Sequence, residues 1–260
     1  MKKYLYLWFK VTTQLTQIAF ASRLGVVLFT LGKIIRFIFF IVFLYLLISR
    51  TKLIAGFSLW QVMMFFLTFN LIDIISQFLW RDVYRFRSYI VSGNFDMVLT
   101  KPLSPLLRSL FGGSDILDLI TLGPLGIFIG YVISHIGHIT LGEIILYILM
   151  VINGLVTAMS MHILVLALGI VTTEVDNAIW MFRELTQLGR LPLQIYPKPL
   201  TLVFTFILPV AAMITLPTHA ILGILTPSGV MIAFGFSIGL LALSLYAWRG
   251  ALKRYSSASS

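Results

Sequence analysis

The chain has no cysteine and few acidic residues, and both shortages narrow what it can do. Among its 260 residues there are nine Asp+Glu against 19 Lys+Arg. The lack of cysteine excludes disulfides, thiolate metal sites and cysteine nucleophiles. No GxxxxGK[ST] loop that could bind a nucleotide is present, the four histidines form no HExxH zinc motif, and no GxSxG nucleophile turn occurs. We therefore expect no catalytic residue, metal site or cofactor site on this chain.

Charge of either sign is scarce, whereas apolar residues are abundant. Only 11% of the residues are charged, 59% are hydrophobic and the mean hydropathy is +1.01. Soluble domains have roughly 25% charged residues. A soluble fold of this size could not keep so much apolar surface from water, so membrane lipid must solvate much of the chain. The basic residues are spread in short clusters between apolar runs, a pattern that sets membrane topology and does not predict nucleic-acid binding.

Six apolar stretches are long enough to be membrane-spanning helices. A helix needs about 20 residues, each rising about 1.5 Å, to cross roughly 30 Å of hydrocarbon. The candidates are residues 24–48, 57–80, 116–134, 141–172, 200–216 and 230–248. Uninterrupted apolar runs contradict the alternating strands of a barrel, so the sequence predicts an all-α integral membrane protein with one domain. Pro217 and Pro227 flank a shorter apolar stretch, which we interpret as a re-entrant or external helix before the last span.

Basic residues alternate between the two sides of these six spans. With the N-terminus in the cytoplasm, the cytoplasmic segments carry 15 Lys+Arg and the external loops carry two. This is the asymmetry of the positive-inside rule. It predicts a multi-pass protein of the plasma membrane, the inner membrane in a bacterium, with both termini and the tail at residues 250–260 in the cytoplasm.

The first 23 residues read as an amphipathic helix on the cytoplasmic membrane surface. Apolar and aromatic side chains recur at spacings of three and four, at Tyr4, Trp8, Val11, Leu15 and Ile18. The helix is either a simple interfacial anchor or a lever that joins the first span to a cytoplasmic partner.

Polar residues within the predicted spans are few. They are Asn70 and Asp73 in the second span and Asn153 and His162 in the fourth. Such groups usually face the bundle interior, because their contact with lipid is costly. For Asp73 we expect an ion pair with Lys33 or Arg36 of the first span. So few charges also leave few groups that could form a proton- or sodium-coupled transport site.

A polar and basic block, residues 81–115, separates the second and third spans. It must lie outside the hydrocarbon, and the charge asymmetry places it in the cytoplasm. The block also contains the apolar residues Phe95, Met97, Val98 and Leu99 beside charged neighbours. Apolar side chains on a connector outside the membrane suggest a docking surface for a protein partner.

Two stretches together resemble the ABC-2 family of transporter permeases. The first is SGNFDMVL at residues 92–99, followed by KPL at 101–103 and Pro105. The second is LPLQIYP at residues 191–197, followed by ILPVA at 207–211. With the six-span layout and the amphipathic start, the resemblance extends over nearly the whole chain.

This resemblance implies the membrane subunit of an ATP-binding-cassette exporter. Such a subunit is not itself an enzyme, since a separate cytoplasmic ABC ATPase subunit binds and hydrolyses ATP. It also pairs in the lipid membrane with a second permease subunit, identical or related. The first cytoplasmic loop would contact the ATPase through these residues: Arg85, Arg87, Gly93, Phe95, Asp96, Val98, Lys101 and Pro102. The resemblance leaves the substrate open.

Two other functions compete with the exporter permease. An intramembrane enzyme acting on lipid or peptide would be active without ATP and would depend on Asp73 or His162. A membrane scaffold would anchor a cytosolic complex without moving any substrate across the membrane.

Overall fold

The computed structural model describes residues 2–51, 53–114, 116–172 and 175–255. Within these ranges the chain is helical, and the only pairing of extended backbone is an isolated antiparallel bridge between Ile54 and Phe57. The prediction of an all-α protein is confirmed. Lys52, which counts among the external charges, and residues 256–260 of the predicted tail lie outside the described residues.

Thirteen α-helices are found in the described part of the chain. In order they are α1 (Lys2–Ala21), α2 (Arg23–Thr51), α3 (Leu59–Trp80), α4 (Phe86–Val91), α5 (Asn94–Leu99), α6 (Pro105–Leu110), α7 (Ile116–Ile120), α8 (Leu122–Ile136), α9 (Leu141–Thr172), α10 (Val175–Thr186), α11 (Lys198–Leu202), α12 (Leu216–Ile221) and α13 (Pro227–Lys253). Three 3₁₀ turns join them at Arg81–Arg85, Gln187–Arg190 and Leu193–Ile195.

Five helical segments are long and apolar enough to cross a membrane. They are Arg23–Leu47, Leu59–Val91, Ile116–Ile136, Leu141–Thr172 and Pro227–Lys253. A sixth crossing is available if the bent pair Lys198–Ile207 and Ala211–Ile221 is one span. The chain is therefore a multi-pass membrane protein.

Local capping fixes where the two longest central helices begin. Glu143 accepts a hydrogen bond from the backbone N–H of Thr140 at 2.6 Å, and the Thr140 hydroxyl accepts one from the Glu143 N–H at 3.3 Å. This reciprocal arrangement satisfies amides that have no partner inside α9. At the start of α13, Thr226 accepts from the Gly229 N–H at 3.2 Å, and Pro227 occupies the first turn, where no N–H is needed.

Helices α9 and α13 form the best-packed part of the molecule. The Asn153 side chain donates to the Ala233 carbonyl at 3.3 Å, and the hydroxyls of Thr157 and Ser237 are 2.7 Å apart. All four residues are buried. Small and polar side chains allow close approach of helices in lipid and bind them together.

The fifth apolar segment is bent and is not the continuous helix predicted for residues 200–216. Two π-helical turns, Val203–Ile207 and Ala211–Thr215, lie on either side of Pro209, and the two arms meet at 80°. Proline lacks the N–H that would continue the hydrogen-bond ladder, and its ring obstructs the preceding turn. The break lies before Pro217, which is in the second arm, and the short helix expected before the last span is α12 at the end of that arm.

The second arm is held directly against α9. A side chain at Gly154 would place its Cβ only 2.8 Å from the Met213 carbonyl oxygen. Glycine is therefore needed at this position because two backbones approach each other closely. Together with the hydrogen bonds between α9 and α13, this contact joins α9, α13 and the second arm into one unit, which we call the scaffold half.

Candidate functional site

The polar block between the second and third spans is folded into short helices. Residues 81–114, here called the connector, contain the 3₁₀ turn Arg81–Arg85 and helices α4, α5 and α6. Ser104 caps α6 by accepting from the Leu107 N–H at 3.4 Å, with Pro105 at the first position. The connector is thus a small structured unit of short helices.

A buried carboxylate ties the two ends of the connector together. Asp82 lies 2.8 Å from the Arg108 guanidinium and 3.5 Å from that of Arg85. The backbone of Gly112 passes so close that any side chain there would overlap the Asp82–Arg108 pair. Because breaking a buried ion pair leaves an uncompensated charge, this contact holds the two ends of the connector together.

A left-handed glycine allows α5 to fold back on α4. Gly93 has φ +72°, a conformation that residues with a Cβ rarely adopt, and it lies at the junction of the two helices. Its N–H donates to the Ile90 carbonyl at 3.1 Å. Gly93 therefore has a structural role in positioning α5.

The inner face of α5 is engaged within the chain. Phe95 is 1% exposed and packs edge-on against Phe86 and Tyr255, with ring centroids 5.2 Å apart in both pairs. The Tyr255 hydroxyl donates to Asp96 at 2.9 Å. Burial, with the adjacent Asp96 carboxylate, raises the pKa of Tyr255 to about 12. Phe95 and Asp96, both expected to contact an ATPase, hold α5 against the end of α13 within the chain, and Val98 is partly buried.

The end of α4, the outer face of α5 and the turn after it are exposed. Met97 is 56% exposed and Val91 is 60% exposed, and Leu99 is also exposed. Lys101 and Pro102, both expected to contact the ATPase, are exposed in the turn that follows. The surface that remains for a partner is therefore Val91, Met97, Leu99, Lys101 and Pro102, which we call the outer patch.

The two expected flanking arginines lie at different places. Arg85 pairs with Asp82 and lines a cavity described below. Arg87 is half-exposed, and its guanidinium lies 3.8 Å from Asp176 of α10. An exposed pair of this kind adds little stability.

Helix α1 packs on the connector through part of its apolar and aromatic stripe. The Tyr4 hydroxyl accepts from the Ser104 N–H at 2.9 Å, and the Trp8 indole N–H donates to Ser114 at 3.0 Å. Ile18, expected on the same stripe, is 69% exposed. The stripe thus serves an intramolecular contact because the connector supplies both apolar cover and hydrogen-bond partners.

A cavity of about 660 Å³ opens beside the connector. Four parts of the chain form its walls: α2, α3 with the following turn, α7 with the start of α8, and the segment 180–190. Its basic side chains are Lys33, Arg36, Arg81, Arg85, Arg183 and Arg190, and its acidic ones are Asp73 and Asp118. Aromatic rings line the rest, including Phe29, Phe37, Phe40, Phe66 and Trp180.

Asp73 does not form the ion pair that was expected for it. Its carboxylate lies 4.0 Å from the Arg183 guanidinium of α10. Lys33 instead pairs with the buried Asp118, and the Arg36 guanidinium donates to Gln187 at 2.6 Å. The prediction was wrong because α7, α10 and the 3₁₀ turn after α10 bring other partners closer to these side chains.

The other polar residues of the spans separate into two places. Asn70 lines the cavity and donates to the Phe66 carbonyl at 2.7 Å. Asn153 lies in the scaffold half, and His162 is buried between the rings of Trp80 and Phe182 with its Nδ1 2.8 Å from the Ala158 carbonyl oxygen. Among the described residues no group of three or more His, Asp and Glu could hold a metal ion.

Several cavity residues were missed as site residues by sequence reasoning. Arg183 and Arg190 were counted only as topology-setting charges, although their spacing of seven would place them on one side of a helix. Asp118 had a readable signal, since it is an acidic residue at the start of an apolar span. Trp180 had none, because the amphipathic helix α10 was read as loop.

Comparison with known proteins supplies the family. A family model described as "ABC-2 family transporter protein" matches residues 33–259. No curated protein and no solved structure matches the chain. The match covers most of the chain and confirms the resemblance seen in residues 92–105 and 191–211. The chain belongs to the ABC-2 transporter family and is a permease component of an ABC transporter.

Proposed function

We propose that this chain is the permease of an exporter driven by a separate cytoplasmic ABC ATPase, which docks on the outer patch. A second permease subunit, identical or related, would complete the translocation path. Both termini and the connector would lie in the cytoplasm, as the 15-to-two distribution of basic residues favours.

The observation that carries this proposal is the way in which the connector is mounted. Its inner face is fixed to α13 through Phe95 and Tyr255, and its ends are joined by the Asp82–Arg108 pair. Its outer face leaves Met97 and Leu99 exposed. A rigid element that is anchored to membrane helices and exposes apolar side chains can pass a partner's movement to those helices.

The proposal is tested by reversing the character of the outer patch. We expect the double variant Met97→Glu, Lys101→Glu to lower binding of an ABC ATPase encoded beside this chain by about tenfold or more, since it places two acids in the contact. Both side chains are exposed, so the variant should still fold and insert. Met181→Glu, at an exposed position of α10 outside the connector, is the matched control.

Co-purification of the two subunits is the direct readout. Unchanged ATPase binding by the double variant would show that the outer patch is not the docking surface. ATP-dependent movement of substrate across vesicles then separates a transporter from a scaffold, which would bind the ATPase without transport.

A further inference from the structure

The charged cavity has a chemical character that the family leaves undefined. We infer that it binds an amphiphilic anion, a phosphate or carboxylate head joined to an apolar body, on the side of the membrane where the connector lies. The inference rests on the proposed function only because it takes this ligand to be the substrate of the exporter. Binding itself requires only the cavity.

The first support is the imbalance of charge. Six basic side chains line the cavity against two acidic ones. Asp118 pairs with Lys33, while Asp73 is 4.0 Å from Arg183, too far for a hydrogen bond. Positive charge therefore exceeds negative charge in a partly enclosed space, where an anion is attracted more strongly than in water.

The second support is the state of individual arginines. Arg190 lies over the rings of Phe69 and Phe40, 4.7 and 5.4 Å from their centroids, and its buried Nε has no hydrogen-bond partner. Its desolvation by burial, with the nearby Arg36, lowers the pKa of Arg190 to about 10. A desolvated guanidinium whose Nε lacks a hydrogen-bond partner is stabilised by a nearby anion such as a phosphate or carboxylate.

The third support is the apolar lining. Phe37 and Phe40 of α2 contact Phe66 of α3, with ring centroids 5.1 and 4.4 Å apart, and Trp180 is half-exposed on the facing wall. A small inorganic anion would not use this surface, whereas an apolar or aromatic body would. The volume is in the range of sites for drug-sized ligands, about 300–1,000 Å³.

The position of the cavity also links the ligand to the connector. Arg81 and Arg85 belong both to the cavity wall and to the first turn of the connector. Arg85 in addition pairs with Asp82, whose other partner is Arg108. A ligand that attracts these arginines would therefore act on the element proposed to meet the ATPase.

The test measures binding of radiolabelled dodecyl phosphate to the full-length chain in phosphatidylcholine nanodiscs, with empty nanodiscs subtracted. We expect saturable binding that dodecyltrimethylammonium and inorganic phosphate do not displace. The double variant Arg183→Gln, Arg190→Gln should bind at least about tenfold more weakly, because two charge-assisted contacts are lost. Arg249→Gln, Arg254→Gln, which removes two exposed arginines outside the cavity, should bind like the unmodified chain.

Two results would overturn the inference without involving the ATPase. One is displacement of dodecyl phosphate by the cationic amphiphile on the unmodified chain, a measurement that does not depend on any variant folding. The other is equal binding by the cavity variant and its control. Loss of ATPase docking by the outer-patch variant is measured separately, so the failure of one proposal is distinguishable from the failure of the other.

A second binding experiment identifies the source of the anion. Part of the phosphatidylcholine is replaced by phosphatidylglycerol. Suppressed binding of dodecyl phosphate would assign the site to the headgroup of a membrane lipid, and unchanged binding would assign it to an amphiphile that is not a bilayer phospholipid.

Discussion

The scaffold half and the charged half of this molecule are held together by different forces. In the scaffold half, α9 meets α13 and the bent segment through small residues and satisfied hydrogen bonds such as Thr157–Ser237. In the charged half, α2, α3, α7 and α10 surround a cavity and are joined across it by a few ion pairs such as Lys33–Asp118. Close-packed helices resist relative movement, whereas a cavity bridged by charges can open or close at small cost. From this comparison we expect α2, whose surface is mostly exposed, to move more readily than the scaffold half.

The largest expected effect comes from removing the carboxylate that joins the two ends of the connector. Asp82→Ala should lower the free energy of unfolding by about 3 kcal/mol, because it leaves Arg108 without its buried partner. Asp176→Ala, which removes a half-exposed partner of Arg87, is the control and should cost about 1 kcal/mol or less. Denaturant titration in mixed micelles measures both. Equal losses would show that the connector is not held by the buried pair.

A slightly smaller effect tests the close packing of the scaffold half. Gly154→Leu should cost about 2 kcal/mol, since the new side chain meets the Met213 backbone, which cannot rotate away. Gly239→Leu in α13 faces open space and should cost well below 1 kcal/mol. Thermal unfolding in detergent compares the two variants. An equally small loss of stability in Gly154→Leu would mean that α9 and the second arm are not tightly joined.

The hydroxyl pair between α9 and α13 should contribute less. A double-mutant cycle of Thr157→Val and Ser237→Ala is expected to give a coupling free energy of about 0.6 kcal/mol, the usual size for such pairs between membrane helices. Unfolding midpoints of the two single variants and the double variant supply the cycle. A coupling free energy near zero would show that this pair does not help to hold α9 and α13 together.

The smallest effect concerns Tyr255, where the connector meets the end of α13. Because its pKa in the folded protein is about 12, above the usual value of 10, its contribution to stability is complete below pH 10 and is lost as the pH rises toward 12. Tyr255→Phe should remove this loss and cost roughly 0.5 kcal/mol at neutral pH. The free energy of unfolding, measured below and above about pH 10, tests whether stability falls as the pH rises. Identical alkaline losses in both proteins would refute the assignment.

Sequence reasoning reaches the parts of this fold that depend on local signals. Long apolar runs identify the membrane-spanning class, and the Thr140–Glu143 spacing marks the start of α9. The bend at Pro209 is harder to predict from the sequence, because a proline in an apolar run is compatible with a kink, a break or a loop. Its 80° angle depends on how the second arm packs against Gly154 and α9.

The candidate site could be predicted only in outline for the same reason. The connector was recognisable as a polar block with apolar residues, yet the inner and outer faces of α5 depend on Tyr255, which is 159 residues from Asp96. Likewise Arg183 lies near Asp73 only because α10 folds back close to α3. Contacts between residues so far apart in sequence leave no periodic pattern in a single chain.

The lack of native cysteine makes the central comparison directly measurable. Spin labels at Val27→Cys in α2 and Tyr246→Cys in α13 report the distance between the two halves, and labels at Ile152→Cys and Ile238→Cys report the distance within the scaffold half; all four positions are exposed. With the ATPase bound, we expect ATP to change the α2–α13 distance and to leave the α9–α13 distance unchanged. A fixed α2–α13 distance, or a change confined to the scaffold pair, would contradict the account.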